Sequence, residues 1–132
     1  MSAEQAVGDI LAILARFADC LARGDGEGAA ACFAPDATYS EPPRFAFTGR
    51  DQIAAVFADF AARHRAVSFT VVRVLAALDG TPDGTLAAVE WRFAYTSARD
   101  DTRTTFEGMS WVALAADGLM ARWRGFSARV EG

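Results

Sequence analysis

Residues 24–60 decide the fold, and they read GDGEGAAACFAPDATYSEPPRFAFTGRDQIAAVFADF. The stretch contains a turn, a short helix, a β-type run, a loop with a Pro pair and the start of another helix. This order of parts is typical of a curved sheet wrapped around a helix-lined pocket. It therefore predicts roughly where a ligand binds, while it identifies no substrate.

Three helices are predicted ahead of the long strands, and they cover residues 4–23, 26–33 and 50–64. In the first, apolar residues recur at helical spacing, and Gly24 is a natural stop. Asp25 is placed to cap the second helix, and Pro35 with Asp36 is expected to end it.

Two short strands and four long ones follow from the alternation of side chains, and they cover Ala37–Glu41, Phe45–Thr48, Val67–Leu78, Leu86–Ser97, Thr102–Ala115 and Leu119–Val130. Short polar turns at 79–80, 82–84, 99–101 and 117–118 separate the long strands and favour an antiparallel meander. The predicted fold class is α+β, with three N-terminal helices packed on a strongly curved, mostly antiparallel sheet. No linker divides residues 1–132, which are expected to form one domain.

Composition excludes several kinds of protein. The net charge is −4, all thirteen basic residues are Arg, and no basic stripe is present, which argues against nucleic-acid binding. No apolar stretch approaches the roughly 20 residues that span a bilayer, so no membrane association is expected. The start MSAEQAVGD lacks the pattern of a signal peptide.

The cysteine and histidine content argues against a metal site. Cys20 and Cys32 lie in neither a CxxC motif nor a Cys/His cluster, and His64 is the one histidine. Both cysteines are interpreted as small buried hydrophobic residues of a protein in the reducing cytoplasm. No cofactor is predicted.

Alternation assigns the strand side chains to two faces. The face expected to line the pocket carries Val89, Trp91, Phe93, Tyr95, Thr105, Glu107, Met109, Trp111, Ala113 and Trp123. The opposite, convex face is expected to carry Arg92, Phe106, Ser110 and Val112. Because the helices cover only the concave face, the second apolar face predicts a homodimer, in which these four residues lose exposed surface.

Three segments carry a resemblance to a known family: GDGEGAAACFAPDATYSEPP, FTGRDQIAAVF and DGLMARWRGF. With them the chain resembles the SnoaL-like branch of the nuclear transport factor 2 superfamily over nearly its whole length. The resemblance implies a cone-shaped α+β barrel. That superfamily includes polyketide cyclases, steroid isomerases, epoxide hydrolases, dehydratases and non-catalytic binding proteins, so it implies the fold far better than the activity.

The charged groups of the limonene-epoxide-hydrolase-like members are replaced in this chain. Their Tyr-x-Asn motif corresponds to Tyr39-Ser40-Glu41, and their Arg-x-Asp falls on Trp91 and Phe93. Their Trp-Arg-Asp, whose Asp shares its position with that of the cyclases, reads Trp123-Arg124-Gly125. The resemblance therefore argues against epoxide hydrolysis by that route and puts cyclisation through that Asp in doubt.

The remaining candidate catalytic groups are Glu107, Glu41 and Tyr39. A carboxyl group in an apolar pocket suits proton transfer, and a tyrosine hydroxyl can donate to a developing oxyanion. Residues expected to contact a small hydrophobic ligand are Phe17, Phe57, Trp91, Phe93, Met109, Trp111 and Trp123.

Each candidate also has a structural interpretation. Glu41 can cap a turn beside its Pro pair, Glu107 can pair with a neighbouring Arg, and Tyr39 can be a core aromatic. Two classes of function remain open. The first is a cofactor-independent isomerase, dehydratase or cyclase that acts on a hydrophobic substrate. The second is a non-catalytic binder of an apolar ligand, or a dimeric accessory domain.

Overall fold

The structure is a computed structural model that describes residues 2–78 and 85–130. Its helices are α1 (Ala3–Ala22), α2 (Gly26–Ala30) and α3 (Arg50–Arg63). Its strands are β1 (Phe33–Glu41), β2 (Phe45–Thr48), β3 (His64–Leu78), β4 (Thr85–Ser97), β5 (Arg103–Leu114) and β6 (Met120–Arg129). The predicted turns at 79–80 and 82–84 lie outside the described residues.

The described strands form one mixed sheet in the order β2-β1-β6-β5-β4-β3. Strand β1 runs parallel to β6, and every other neighbouring pair is antiparallel. The N-terminal helices pack on this sheet, which curls strongly without closing. The predicted α+β class is therefore confirmed, with an open sheet in place of a closed barrel.

Side-chain caps start the first two helices. The Ser2 hydroxyl accepts a hydrogen bond from the Gln5 amide at 3.1 Å, and Asp25 accepts one from the Gly28 amide at 2.8 Å. The apolar stripe of α1 faces the sheet, while α3 buries Ile53 and Phe57. The large side chains of the core are those of Phe17, Phe33, Ile10, Leu14, Ile53, Met120, Val89 and Val112.

Helix α2 is shorter than the predicted helix over residues 26–33. It ends at Ala30 because the Met120 amide bonds to the Cys32 carbonyl at 2.9 Å, and Phe33 pairs with Met120 in the parallel ladder. Pro35 therefore lies within β1 and does not end a helix. The strand accommodates it because the register with β6 shifts between Phe33 and Thr38.

The predicted faces of β5 were wrong. In the β4–β5 ladder Trp91 lies opposite Gly108 and Phe93 opposite Phe106, and directly opposed residues share a face. The inner face of β5 is therefore that of Phe106, Gly108, Ser110 and Val112, and Ser110 and Val112 are completely buried. Glu107, Met109 and Trp111 point outward, so the expectation that they line the pocket is wrong, as is the convex placement of Phe106, Ser110 and Val112.

Gly108 supplies the physical reason for this register. A Cβ atom at residue 108 would lie 2.5 Å from Cζ2 of Trp91 and 2.7 Å from the Phe126 carbonyl oxygen. No side chain fits there while the indole keeps its position. The large residue of one strand thus lies against the smallest residue of the next, and this pairing sets which face of β5 is buried.

Candidate functional site

A cavity of about 490 Å³ lies between α1, α3, the β1–β2 hairpin and the inner face of the sheet. This volume is within the range of small-molecule pockets. The cavity is lined by Phe17, Leu21, Tyr39, Glu41, Arg44, Phe45, Phe47, Val56, Phe57, Asp59, Phe60, Arg63, Phe69, Trp91, Phe93, Tyr95, Phe106, Trp123 and Ser127. The structure thus places five residues in the cavity wall, as predicted from the sequence: Phe17, Phe57, Trp91, Phe93 and Trp123.

Aromatic rings make up most of the wall, and they pack in edge-to-face, tilted and stacked pairs. The ring of Phe17 lies 5.6 Å from that of Phe57, 5.5 Å from Phe69 and 5.6 Å from Trp123, measured between centroids. These are favourable separations for aromatic pairs. A wall of interlocked rings holds its shape and offers mainly ring faces and edges to a ligand.

Small residues of β5 and β6 lie beside the two indoles. Trp91 Nε1 donates a hydrogen bond to the buried Ser110 Oγ at 2.9 Å. A Cβ atom at Gly125 would lie 2.9 Å from Ser110 Oγ and 3.1 Å from Nε1 of Trp123. Gly108 and Gly125 therefore leave the space that the two indoles occupy beside the cavity.

Tyr39 brings a hydroxyl group to this aromatic wall. Its ring packs at 5.3 Å from Phe57, 5.4 Å from Phe45 and 6.2 Å from Trp123. Burial raises the pKa of the phenol to about 12, so Tyr39 is a neutral hydrogen-bond donor near pH 7. None of the side-chain hydrogen bonds found among the described residues involves this hydroxyl.

Glu41 follows two residues later on the same face of β1, and its side chain is only 13% exposed. Its Oε1 accepts a hydrogen bond from Ser127 and forms an ion pair with Nη2 of Arg44. Nη2 of Arg44 also donates to Ser127 Oγ. No contact of the described residues engages Oε2, and no buried side-chain oxygen among them lacks a partner. We conclude that Oε2 has accessible surface.

Two arginines contribute charge at the open side of the cavity. Arg44 follows the Pro pair in the β1–β2 hairpin, and its guanidinium lies over the Phe106 ring at 5.7 Å. Arg63 pairs with Asp59 at 2.6 Å, and both of these side chains are more than 60% exposed. The charged side chains of the cavity therefore form two ion pairs, and the Arg44–Glu41 pair is less exposed than the Arg63–Asp59 pair.

The third candidate acid lies elsewhere. Glu107 pairs with Arg92 on the outer face of the sheet, and both side chains are more than half exposed. Met109 and Trp111 are 40% and 45% exposed on the same face. The structure therefore brings Glu41 and Tyr39 together and separates Glu107 from both.

Sequence reasoning missed several lining residues, among them Phe60, Phe69, Phe106, Arg44 and Ser127. Ser127 had a usable signal, because it alternates with Trp123 and Gly125 on one face of β6. Arg44 had none, because a residue in a loop carries no periodicity.

Within residues 2–78 and 85–130, no group of three or more His, Cys, Asp or Glu side chains is arranged to hold a metal ion. Over the same residues no helix is both long and apolar enough to cross a membrane.

Solved structures with the same fold carry diverse descriptions. A candidate scytalone dehydratase from Novosphingobium aromaticivorans has a TM-score of 0.79 and 16% identity, over 95% of this chain and 84% of that one. An LEH-like epoxide hydrolase from M. tuberculosis has a TM-score of 0.73 and 16% identity, over 92% and 84%. A hypothetical protein of ketosteroid isomerase-like fold from Catenulispora acidiphila, solved with trimethylamine, has a TM-score of 0.72 and 18% identity, over 86% and 82%.

These likenesses establish the fold alone, because the identities are low. No functionally curated protein matches the sequence. The family model of the SnoaL-like domain matches residues 14–123, which is most of the chain and includes α3, the strands β1 to β5 and the start of β6. The resemblance inferred from the sequence is therefore confirmed, and the chain belongs to the SnoaL-like domain family.

Proposed function

We propose that the protein is a cofactor-independent enzyme of the isomerase, dehydratase or cyclase type, which binds a hydrophobic, ring-containing small molecule and acts on it by proton transfer. One observation carries the proposal. Tyr39 and Glu41 lie two residues apart on one face of β1, inside a cavity whose wall is mostly aromatic. The dehydratase and epoxide hydrolase descriptions of its structural relatives support a small-molecule reaction.

Glu41 is the proposed proton acceptor. Its Oε1 is held by Ser127 and Arg44, which orients the carboxylate, while Oε2 remains open to a substrate proton. The same carboxyl group then returns the proton to a neighbouring position, or to a leaving hydroxyl group. Glu41 is preferred over the other acid of the cavity, because the Asp59 side chain is 63% exposed.

Tyr39 is the proposed hydrogen-bond donor to the oxygen that gains charge in the transition state. The phenol is protonated near pH 7, and its pKa of about 12, raised by burial, keeps it protonated into the alkaline range. A donor preorganised in a largely apolar site stabilises a developing oxyanion more than the same donor in water does. A substrate for this pair carries a carbonyl or hydroxyl oxygen next to the carbon that loses the proton.

The test is a turnover screen of ring ketones and β-hydroxy ketones, followed by substitution. Glu41→Gln should lower turnover by about 10²–10⁴, the usual worth of general acid–base catalysis, and leave the circular dichroism spectrum unchanged. Tyr39→Phe should lower kcat more than it raises KM, because it removes a transition-state contact. Glu107→Gln is the matched control, and it should retain full activity because Glu107 lies on the outer face.

Unchanged turnover in Glu41→Gln would refute the assignment of the base. The alternative is a non-catalytic binder of an apolar ligand, and the Arg44–Glu41 ion pair favours it, because it neutralises the least exposed of the charged side chains that line the cavity. A ligand that co-purifies with the protein and is recovered chemically unchanged would support the binder.

We also propose a homodimer through the outer face of the sheet. Met109, Trp111 and Phe126 are 40%, 45% and 43% exposed, and Met109 lies directly opposite Phe126 in the β5–β6 ladder. An apolar patch of neighbouring residues on a sheet face fits the same patch of a second copy. The pairing should bury more than about 1,000 Å².

Sedimentation velocity tests the homodimer. Wild-type protein should sediment as a dimer at tens of micromolar, and Trp111→Lys should sediment as a monomer with an unchanged fold. Leu11→Lys is the control, because Leu11 is 47% exposed on α1, away from that face. A monomeric wild type would overturn the proposal.

Two further proposals concern the cellular compartment and the number of domains. The reducing cytoplasm is the proposed location, and it is supported by Cys20 and Cys32, which are both free thiols in the core. The chain is proposed to act as one domain.

A further inference from the structure

Arg44 has unused hydrogen-bonding capacity at the open side of the cavity. Among the described residues the polar contacts of its side chain are those of one nitrogen, Nη2, with Glu41 and Ser127. A guanidinium carries five N–H donors in a planar fork, so most of its donors remain available. Its side chain is 49% exposed, which allows an incoming group to reach it.

The position of Arg44 relates its charge to the aromatic wall. The residue reaches from the β1–β2 hairpin towards Ser127 on β6 and lies over Phe106 on β5. Phe106 and Ser127 both line the cavity, as do Trp123 further along β6 and Trp91 on β4. A ligand with its rings against the indoles thus has its other end near Arg44.

We propose that Arg44 is the binding residue for a carboxylate group on a hydrophobic, ring-containing ligand, and that this carboxylate takes the place of Glu41 as the partner of Arg44. The inference rests on the proposed function and specifies the class of ligand. Arginine suits the role because its planar fork matches a carboxylate with two parallel hydrogen bonds.

The exchange has a chemical consequence for Glu41. In the free protein Arg44 and Glu41 neutralise each other. A nearby cation favours the ionised form of a carboxylate, and a nearby anion makes it a better proton acceptor. A bound carboxylate that engages Arg44 therefore both anchors the ligand and makes Glu41 a stronger proton acceptor. With an uncharged ring compound Glu41 stays paired and accepts a proton through Oε2 as a weaker base.

The experiment is a calorimetric titration with naphthoate and its neutral counterpart naphthamide. Wild-type protein should bind naphthoate about tenfold more tightly, which is the worth of a charged hydrogen bond. Arg44→Gln should remove that preference and leave naphthamide affinity unchanged. Glu41→Gln should tighten naphthoate binding about tenfold, because the competing carboxylate is gone.

The control is Arg65→Gln, since Arg65 pairs with Asp101 outside the cavity and should leave both affinities unchanged. Equal binding of both ligands to the wild type would overturn this inference and leave the proposed function standing. The inference is also wrong if Arg63→Gln removes the preference in place of Arg44→Gln, or if Glu41→Gln leaves naphthoate affinity unchanged. Binding of neither compound would overturn both proposals.

Discussion

The contact between Gly108 and Trp91 makes a quantitative prediction about stability. A Cβ atom at residue 108 would lie 2.5 Å and 2.6 Å from two ring carbons of Trp91, and 2.7 Å from the Phe126 carbonyl oxygen. The carbonyl belongs to the neighbouring strand β6 and cannot move alone. Gly108→Ala must therefore push the indole out of its place or open the β5–β6 ladder.

The size of the effect follows from two opposed contributions. Overpacking a well-filled site costs about 1–3 kcal/mol. Replacing Gly by Ala within a strand returns about 0.5–1 kcal/mol of backbone entropy. The free energy of unfolding should thus fall by about 1–2 kcal/mol, which is a midpoint shift of about 0.5–1 M urea at a slope near 2 kcal/mol/M.

Urea unfolding followed by circular dichroism measures this directly. Gly8→Ala is a control of opposite sign, because Gly8 lies within α1 and a Cβ atom there meets nothing within 4 Å. It should raise the free energy of unfolding by about 0.5–1 kcal/mol. A Gly108→Ala protein as stable as the wild type would contradict the register-setting role given to Gly108.

Four other variants address the cavity and the elements around it. Ser110→Ala should lower the unfolding free energy by about 1–3 kcal/mol, because it leaves the buried Trp91 N–H without an acceptor; an unchanged urea midpoint would argue against that bond. Burial raises the pKa of Tyr39 from 10.0 to about 12, so the contribution of its phenol to stability is complete below pH 10 and is lost as the pH rises towards 12. Tyr39→Phe should remove this loss when the free energy of unfolding is measured in urea at several pH values. Burial raises the pKa of the Cys32 thiol from 9.0 to about 11, so its contribution to stability should be lost as the pH rises from 9.0 towards 11. Cys32→Ala should remove that pH dependence. Asp25→Ala should cost about 1 kcal/mol by removing the α2 cap, which thermal melting would detect.

Local sequence chemistry determined the elements of this protein. Ser2 and Asp25 start helices at the residues where their side chains can cap an amide, and the structure shows both caps. Alternation along β4 and β6 predicted the inner face of Trp91 and Trp123, because a strand on its own already separates its side chains into two faces. These local patterns were sufficient to predict the α+β class and the order of the helices and strands.

Tertiary packing determines which face of β5 is buried. Both faces of this strand carry large apolar residues, with Phe106 on one and Trp111 on the other, so hydrophobicity along the strand does not choose between them. The pairing of Gly108 with Trp91 determines which face is buried, because Trp91 of β4 and the backbone of β6 leave no space for a side chain at residue 108. That choice removed Glu107 from the cavity.

The early end of α2 and the environment of Glu41 have the same origin. Residues 31–33 follow a helix directly, but the long-range pairing of Phe33 with Met120 begins β1 at Phe33 and leaves residues 31 and 32 in a turn. Glu41 gains Arg44 from the hairpin loop and Ser127 from β6, which is 86 residues away along the chain. Periodicity reports which side of a strand a residue faces. Only the folded chain decides which charges meet there, because such contacts depend on distances that no local pattern encodes.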